Sequence, residues 1–116
     1  MHVRINGKNV SITDFQVMHN LHVGGSLDLT GCTGLTSLPD NLSVGCVLNL
    51  GGCTGLTSLP ENLNVGGVWL DLLGCTGLTS IPDNLSVGGM LNLISCTGLT
   101  RYFDARLRLL RSAACN

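Results

Sequence analysis

At 116 residues the chain is long enough for one small domain, and its 44% apolar content with only 3% aromatic residues points to a core of repeated aliphatic side chains. No apolar run approaches the roughly 18 residues that a membrane-crossing helix needs, and the N-terminal MHVRINGKNV lacks the apolar core of a secretory signal, so no membrane contact and a cytoplasmic location are expected. The net charge of −1 hides an asymmetry: residues 21–100 hold Asp28, Asp40, Glu61, Asp71 and Asp83 with no Lys or Arg, while 101–116 hold Arg101, Arg106, Arg108 and Arg111 against Asp104, and an acidic body of this kind excludes nucleic acid as the expected partner.

Residues 1–20 are not part of any repeat. Val3/Ile5 and Val10/Ile12 alternate on either side of Asn6-Gly7, which predicts a β-hairpin with a type I′ turn. Thr13-x-x-Gln16 has the spacing of a capping box for one turn of helix. Val17-x-x-Asn20-Leu21 echoes the later Leu38-x-x-Asn41-Leu42. The segment reads as a cap for one end of a repeat stack, where an unpaired strand edge and apolar core must be covered. His2, His19 and His22 fall in or beside it; His19-x-x-His22 supplies only two ligands, so they are read as surface or cap residues and no metal is expected.

From residue 21 the chain repeats. GCTGLTSLP occurs unchanged at Gly31–Pro39 and Gly52–Pro60, returns as GCTGLTSIP at Gly74–Pro82, and ends as SCTGLT at Ser95–Thr100. The units are Leu21–Asn41 and Leu42–Asn62 of 21 residues, Leu63–Asn84 of 22, and a truncated Leu85–Thr100. Each carries L-x-L-x-x-C-x-x-L, followed by L/I-P in the first three: Leu27, Leu29, Cys32, Leu35, Leu38 and Pro39 in the first. In L-x-L both leucines point to one side of a strand. One unit cannot bury that row alone, but stacked units pair their strands about 4.8 Å apart and bury a continuous leucine column. The unit is too short for a long return helix, and the Leu-Pro step favours extended backbone, so a second short strand is expected through Leu42, Val44 and their equivalents. Gly24-Gly25, Gly66-Gly67 and Gly88-Gly89 are expected to turn the chain into the next strand.

With these motifs the chain resembles the leucine-rich-repeat family, most closely its bacterial short-repeat class, over residues 21–100. The expected fold is a β-rich solenoid: a leucine-rich-repeat stack of about four coils of 21–22 residues, with a parallel sheet on the concave face. Residues 1–20 would form the N-terminal β-hairpin cap and 101–116 a C-terminal helical cap, all in a single domain 1–116. The helix is read from Phe103, Leu107, Leu110 and Ala114 at i, i+4, i+7 and i+11.

Cys32, Cys53, Cys75 and Cys96 share one repeat position and should form an inward ladder of buried thiols. Adjacent coils would allow a disulfide geometrically, but a chain without a secretion signal favours thiols. Val68 lengthens the third unit by one residue, as a bulge or wider turn, and Cys46 replaces the second glycine of its pair.

The resemblance implies binding through the concave face. Its outward rows read Ser26, Val47, Trp69, Met90; then Asp28, Asn49, Asp71, Asn92; then Thr30, Gly51, Leu73, Ile94. The stack thus begins polar and ends apolar. Trp69, Leu73, Met90 and Ile94, with Asp71 and Asn92 among them and Val47 and Asn49 adjoining, are the candidate partner-binding residues. Asp40, Glu61 and Asp83 form a second, acidic stripe.

No G-x-S-x-G, P-loop or H-E-x-x-H is present, and no Cys or Ser has a recognisable base, so no catalytic or cofactor-binding residues are assigned. Some bacterial leucine-rich-repeat effectors carry a ubiquitin-ligase domain; nothing in this chain resembles it, and Cys115 is not given that role. The expected function is a non-enzymatic protein-binding module, an inhibitor or adaptor of bacterial or phage type. It would be cytoplasmic or, alternatively, delivered into a host cell. The competing reading is a self-assembling structural protein that forms a homo-oligomer through the apolar patch or the solenoid ends.

Overall fold

The structure, a computed structural model, describes residues 2–99. It opens with the predicted hairpin. β1 (His2–Ile5) and β2 (Lys8–Ser11) pair antiparallel, with His2 opposite Ser11 and Ile5 opposite Lys8. Asn6 (φ 49°) and Gly7 (φ 83°) both occupy the left-handed region, as a type I′ turn requires.

α1 (Ile12–Gln16) follows without a linker. Its N-cap is Ser11, whose Oγ accepts from the Asp14 amide at 3.1 Å, and not Thr13 as the Thr13-x-x-Gln16 spacing predicts. Ser11 ends a strand and already has the extended backbone of an N-cap, which leaves Thr13 inside the helix. Gln16 is thereby released for another task. Its Oε1 accepts from the Thr36 amide (2.7 Å), the Thr36 hydroxyl (3.1 Å) and the Ser37 amide (3.3 Å), fastening the cap to the first coil.

The rest is a β-solenoid of about three turns with two parallel sheets and almost no helix. β3 (His22–Val23), β5 (Ser43–Val44), β7 (Asn64–Val65) and β9 (Ser86–Val87) form the return sheet, in that spatial order. β4 (Leu27–Asp28), β6 (Val47–Asn49), β8 (Trp69–Asp71) and β10 (Met90–Asn92) form the leucine sheet. The second strand expected through Val44 is therefore present in each coil. The echo in residues 17–21 also has a structural counterpart: His19 bridges Asp40 in parallel, and Asn20 and Asn41 share a left-handed backbone.

Leucine supplies the core. Leu27, Leu48 and Leu70, then Leu29, Leu50 and Leu72, then Leu35, Leu56 and Leu78 are buried in columns, with Val23, Val44 and Val65 facing them from the return sheet. Phe15 closes the hairpin end, fully buried. At the other end Leu91 is 41% exposed and Leu93 half-buried. The helical cap expected for 101–116 lies outside the described residues.

The glycine pairs sit at the bends between sheets, but not for the backbone freedom that the sequence suggests. None has positive φ. Gly67, Gly88 and Gly89 are small because coils stack closely there, a Cβ on Gly67 lying 2.3 Å from the Gly45 carbonyl oxygen, whereas Gly24, Gly25 and Gly66 have open space. The C-T-G glycines obey the same constraint. A Cβ on Gly55 or Gly77 would lie 2.6 or 2.5 Å from the Thr33 or Thr54 oxygen, whereas Gly34, in the first coil, has nothing within 4 Å. Positive φ belongs instead to Gly31, Gly52 and Gly74 (75°, 74° and 72°), and at the fourth copy Ser95 adopts it at 62°.

Two outcomes follow for urea unfolding. Gly77→Ala should destabilise by about 1–3 kcal/mol, the usual range for forcing an extra methyl into a filled site, while Gly34→Ala should change little; equal losses would contradict the stacking account. Ser95→Gly should gain about 1 kcal/mol by relieving left-handed strain.

Candidate functional site

The leucine sheet places its outward residues in rows by backbone register. Val47, Trp69 and Met90 are direct partners on adjacent strands, as are Asn49, Asp71 and Asn92. The insertion at Val68 does not disturb this. It is absorbed as a wider bend before β8, where the Val68 amide donates to the Cys46 oxygen and its own oxygen accepts from the Met90 amide. Trp69 therefore remains on the outward side instead of rotating into the core.

All eight sequence-selected residues lie on this one face. Met90 and Ile94 are each 65% exposed and Leu73 43%. Val47, Asn49, Trp69, Asp71 and Asn92 are half-buried. The indole Nε1 of Trp69 is enclosed and has no hydrogen-bond partner among the described residues, so the ring turns carbon, not its N–H, towards solvent. Whether residues 101–116 reach this face lies outside the described residues.

The middle row has a role that the sequence reading missed. Each side chain closes a turn at the end of its strand: Asn49 Oδ1 accepts from the Gly51 amide (3.0 Å), Asp71 Oδ1 from Leu73 (2.9 Å) and Asn92 Oδ1 from Ile94 (3.0 Å). Asp28 accepts from both the hydroxyl and the amide of Thr30, and these two bonds hold its carboxyl below the usual carboxylate range. Such turns suit Asp and Asn best, and the restriction of the row to those two residues across four units is the signal that could have revealed them. Acid and amide alternate, so stacked rungs avoid adjacent like charges, and Asn92 Nδ2 donates to Asp71 Oδ1 at 3.2 Å.

A second ladder also went unread. Asn41 Nδ2 donates to Asn20 Oδ1 (2.8 Å), Asn62 to Asn41 (3.1 Å) and Asn84 to Asn62 (3.5 Å). Beside it Asp40, Asn41, Pro60, Glu61 and Asn62 line a shallow polar groove that includes none of the eight face residues.

The cysteine ladder is inward, as its repeat position implies, and Cys32, Cys53, Cys75 and Cys96 are free thiols. They are more than small apolar fillers. Cys53 Sγ donates to the Leu29 oxygen (3.1 Å), Cys75 to Leu50 (3.0 Å) and Cys96 to Leu72 (2.9 Å), each bond crossing to the preceding coil. Burial raises all four thiol pKa values, Cys75 to about 11, so they stay protonated and unreactive at neutral pH. Cys46 is exposed. His22 Nδ1 lies 3.3 Å from Ser43 Oγ, and His19 Nδ1 lies 3.9 Å from Asp40. Among the described residues no three His, Cys, Asp or Glu side chains converge to hold a metal ion.

Compared with protein-family profiles, with characterised proteins and with solved structures, the chain gives no significant match.

The thiols make stability depend on alkaline pH. A group whose pKa is raised on folding stabilises fully below its unfolded value, here the usual 9.0, and that stabilisation is lost as pH rises towards about 11. The urea midpoint should therefore fall across this window, and Cys75→Ala should fall less steeply. In native protein at pH 7.5 a thiol reagent should modify Cys46 at once, and Cys53 and Cys75 only as fast as the chain opens.

Proposed function

We propose that the chain is a non-enzymatic protein-binding module of leucine-rich-repeat type, which docks a partner protein through the outward face of its leucine sheet. The observation that carries this reading is the pair of apolar couples on adjacent rungs of one face, Trp69 with Met90 and Leu73 with Ile94, on either side of Asp71 and Asn92. Solvent-facing strand positions are ordinarily polar, and exposed apolar patches commonly mark interfaces. Trp is also enriched among residues whose truncation costs most binding energy. The rungs beneath are pinned by backbone bonds and by the Asp/Asn turns, so little ordering is needed on association. The buried thiols of Cys53 and Cys75 are held protonated, which favours binding over thiol catalysis. A small, single-domain module of this kind would act by occupying its partner's surface, as an inhibitor or adaptor does.

Self-assembly is the second reading. It is favoured by the last rung, where the Leu93 and Ser95 amides have no acceptor among the described residues and Leu91 is 41% exposed. Sedimentation across a concentration range separates the two: association that grows with concentration supports self-assembly, and a strict monomer removes it.

For the binding module, a pull-down with the paired change Trp69→Ala and Met90→Ala should lose specific capture by about tenfold or more, as expected when truncation removes on the order of 2 kcal/mol. Unchanged capture by the folded variant would place the site elsewhere.

A further inference from the structure

We infer that the face around Asp71 is a socket for an arginine side chain presented by the partner protein. The inference rests on the docking face proposed above and adds the chemistry of what enters it. Asp71 stands between Trp69 and Leu73 on its own rung, with Asn49 and Asn92 as its direct neighbours on the adjacent strands and Met90 and Ile94 flanking Asn92. Its Oδ1 is fully engaged, by the Leu73 amide and the Asn92 amide group. Its Oδ2 has no hydrogen bond or ion pair among the described residues. The carboxylate is thus held in a fixed orientation, half-buried, with one oxygen unengaged and no cation beside it among the described residues.

No compensating charge is close along the chain. Between residues 21 and 99 there are five acidic residues and no Lys or Arg. A half-buried carboxylate with Trp69 and Leu73 on either side along its strand is best satisfied by a cation that brings its own apolar stem. Arginine meets both needs. Outward neighbours two residues apart on a strand are about 6.6 Å apart. A guanidinium could lie on the Trp69 ring, within the roughly 6 Å of a cation–π contact, and donate one N–H to Asp71 Oδ2. Lysine would gain less, because its ammonium is more strongly hydrated and does not stack. The rows also explain why Asp71 and not Asp28 forms the socket: Asp28 is flanked by Ser26 and Thr30, which offer no apolar wall.

The row supplies its own control. Asn occupies the equivalent position at Asn49 and Asn92 and closes the same turn, so Asp71→Asn removes the charge while keeping the acceptor that the fold uses. The probes are acetyl-Leu-Arg-Leu-amide and its citrulline counterpart, titrated into the full chain while the single indole N–H signal of Trp69 is followed by NMR. The expected result is saturable binding of the arginine peptide, about tenfold tighter than the citrulline peptide, weakened by salt, with the preference lost in a folded Asp71→Asn variant. Equal binding of both peptides, a preference that survives in Asp71→Asn, or no saturable binding at millimolar concentration would overturn the inference. Binding that strengthens only after Arg101, Arg106, Arg108 and Arg111 are changed to Gln would also overturn it, by making the chain's own arginines the occupant. The docking face is tested apart from this: capture lost in the paired Trp69 and Met90 variant but kept in Asp71→Asn retains the face and discards the arginine.

Discussion

The distance between one coil and the next governs almost everything in this molecule. Leu29, Leu50 and Leu72 each donate their amide to a carbonyl of the following coil at 2.7–2.9 Å, and Ser43, Asn64 and Ser86 each donate back to the preceding one on the other sheet. Two sets of bonds running in opposite senses lock the rise at strand spacing on both sides. A side chain that points along the stack must then fit within that rise. Leucines satisfy it because they point across the coil instead, into the shared interior. Glycine is required where backbone lies on backbone. Cysteine is tolerated where one small atom fits, and it improves the fit by donating to a carbonyl whose second lone pair is otherwise unused, since the Leu29 oxygen already accepts from the Cys32 amide.

The same constraint decides where variation can occur. Inward positions repeat almost without change because each must match the coil above and below. Outward positions answer only to solvent and to lateral neighbours, and there the four units diverge: Ser26, Val47, Trp69 and Met90 occupy equivalent places. The half-polar middle row shows the limit of that freedom. It faces outward, yet its Asp or Asn is held by the turn it must close, so the one permitted choice is between acid and amide. The chain uses that choice to alternate charge, and this leaves Asp71 as the single carboxylate inside the apolar end of the face.

The architecture was legible in the sequence because it depends on periodic quantities. A 21-residue repeat of L-x-L, the Asn6-Gly7 hairpin and the room for a second strand at Val44 all follow from spacing and side-chain size. What was not legible depends on which atoms meet between coils. The sequence showed glycine pairs but not that close stacking, rather than positive φ, requires Gly67, Gly88 and Gly89. It showed Thr13 and Gln16 at capping distance but not that Ser11 would end a strand in position to cap, leaving Gln16 to fasten the first coil. It showed Asp28, Asn49, Asp71 and Asn92 as surface residues, although each is a turn-closing acceptor. The outward position of Trp69 was predictable only on the assumption that Val68 is absorbed before the strand. That it is absorbed in the bend follows from cost: an extra residue within β8 would break three registered pairs on each side, while one in the bend breaks none.

A stack of this kind also has a built-in gradient. Each coil is stabilised by its neighbours, so an interior coil has two interfaces and a terminal coil has one. The N-terminal end is closed by β1, β2 and α1, with Phe15 buried and Gln16 bonded across to Thr36 and Ser37. The last described rung has a core leucine 41% exposed, two amides without an acceptor among the described residues, and a serine in the left-handed backbone that glycine fills in the other three units. Among the described residues, support therefore falls along the chain towards residue 99. The apolar rows rise in the same direction, from Ser26 to Met90 and from Thr30 to Ile94. If the face docks a partner as proposed, a partner seated on Met90 and Ile94 would add an interface to the last described rung. Binding and completion of the stack would then draw on the same contacts, so that occupancy of the face stabilises its weakest rung.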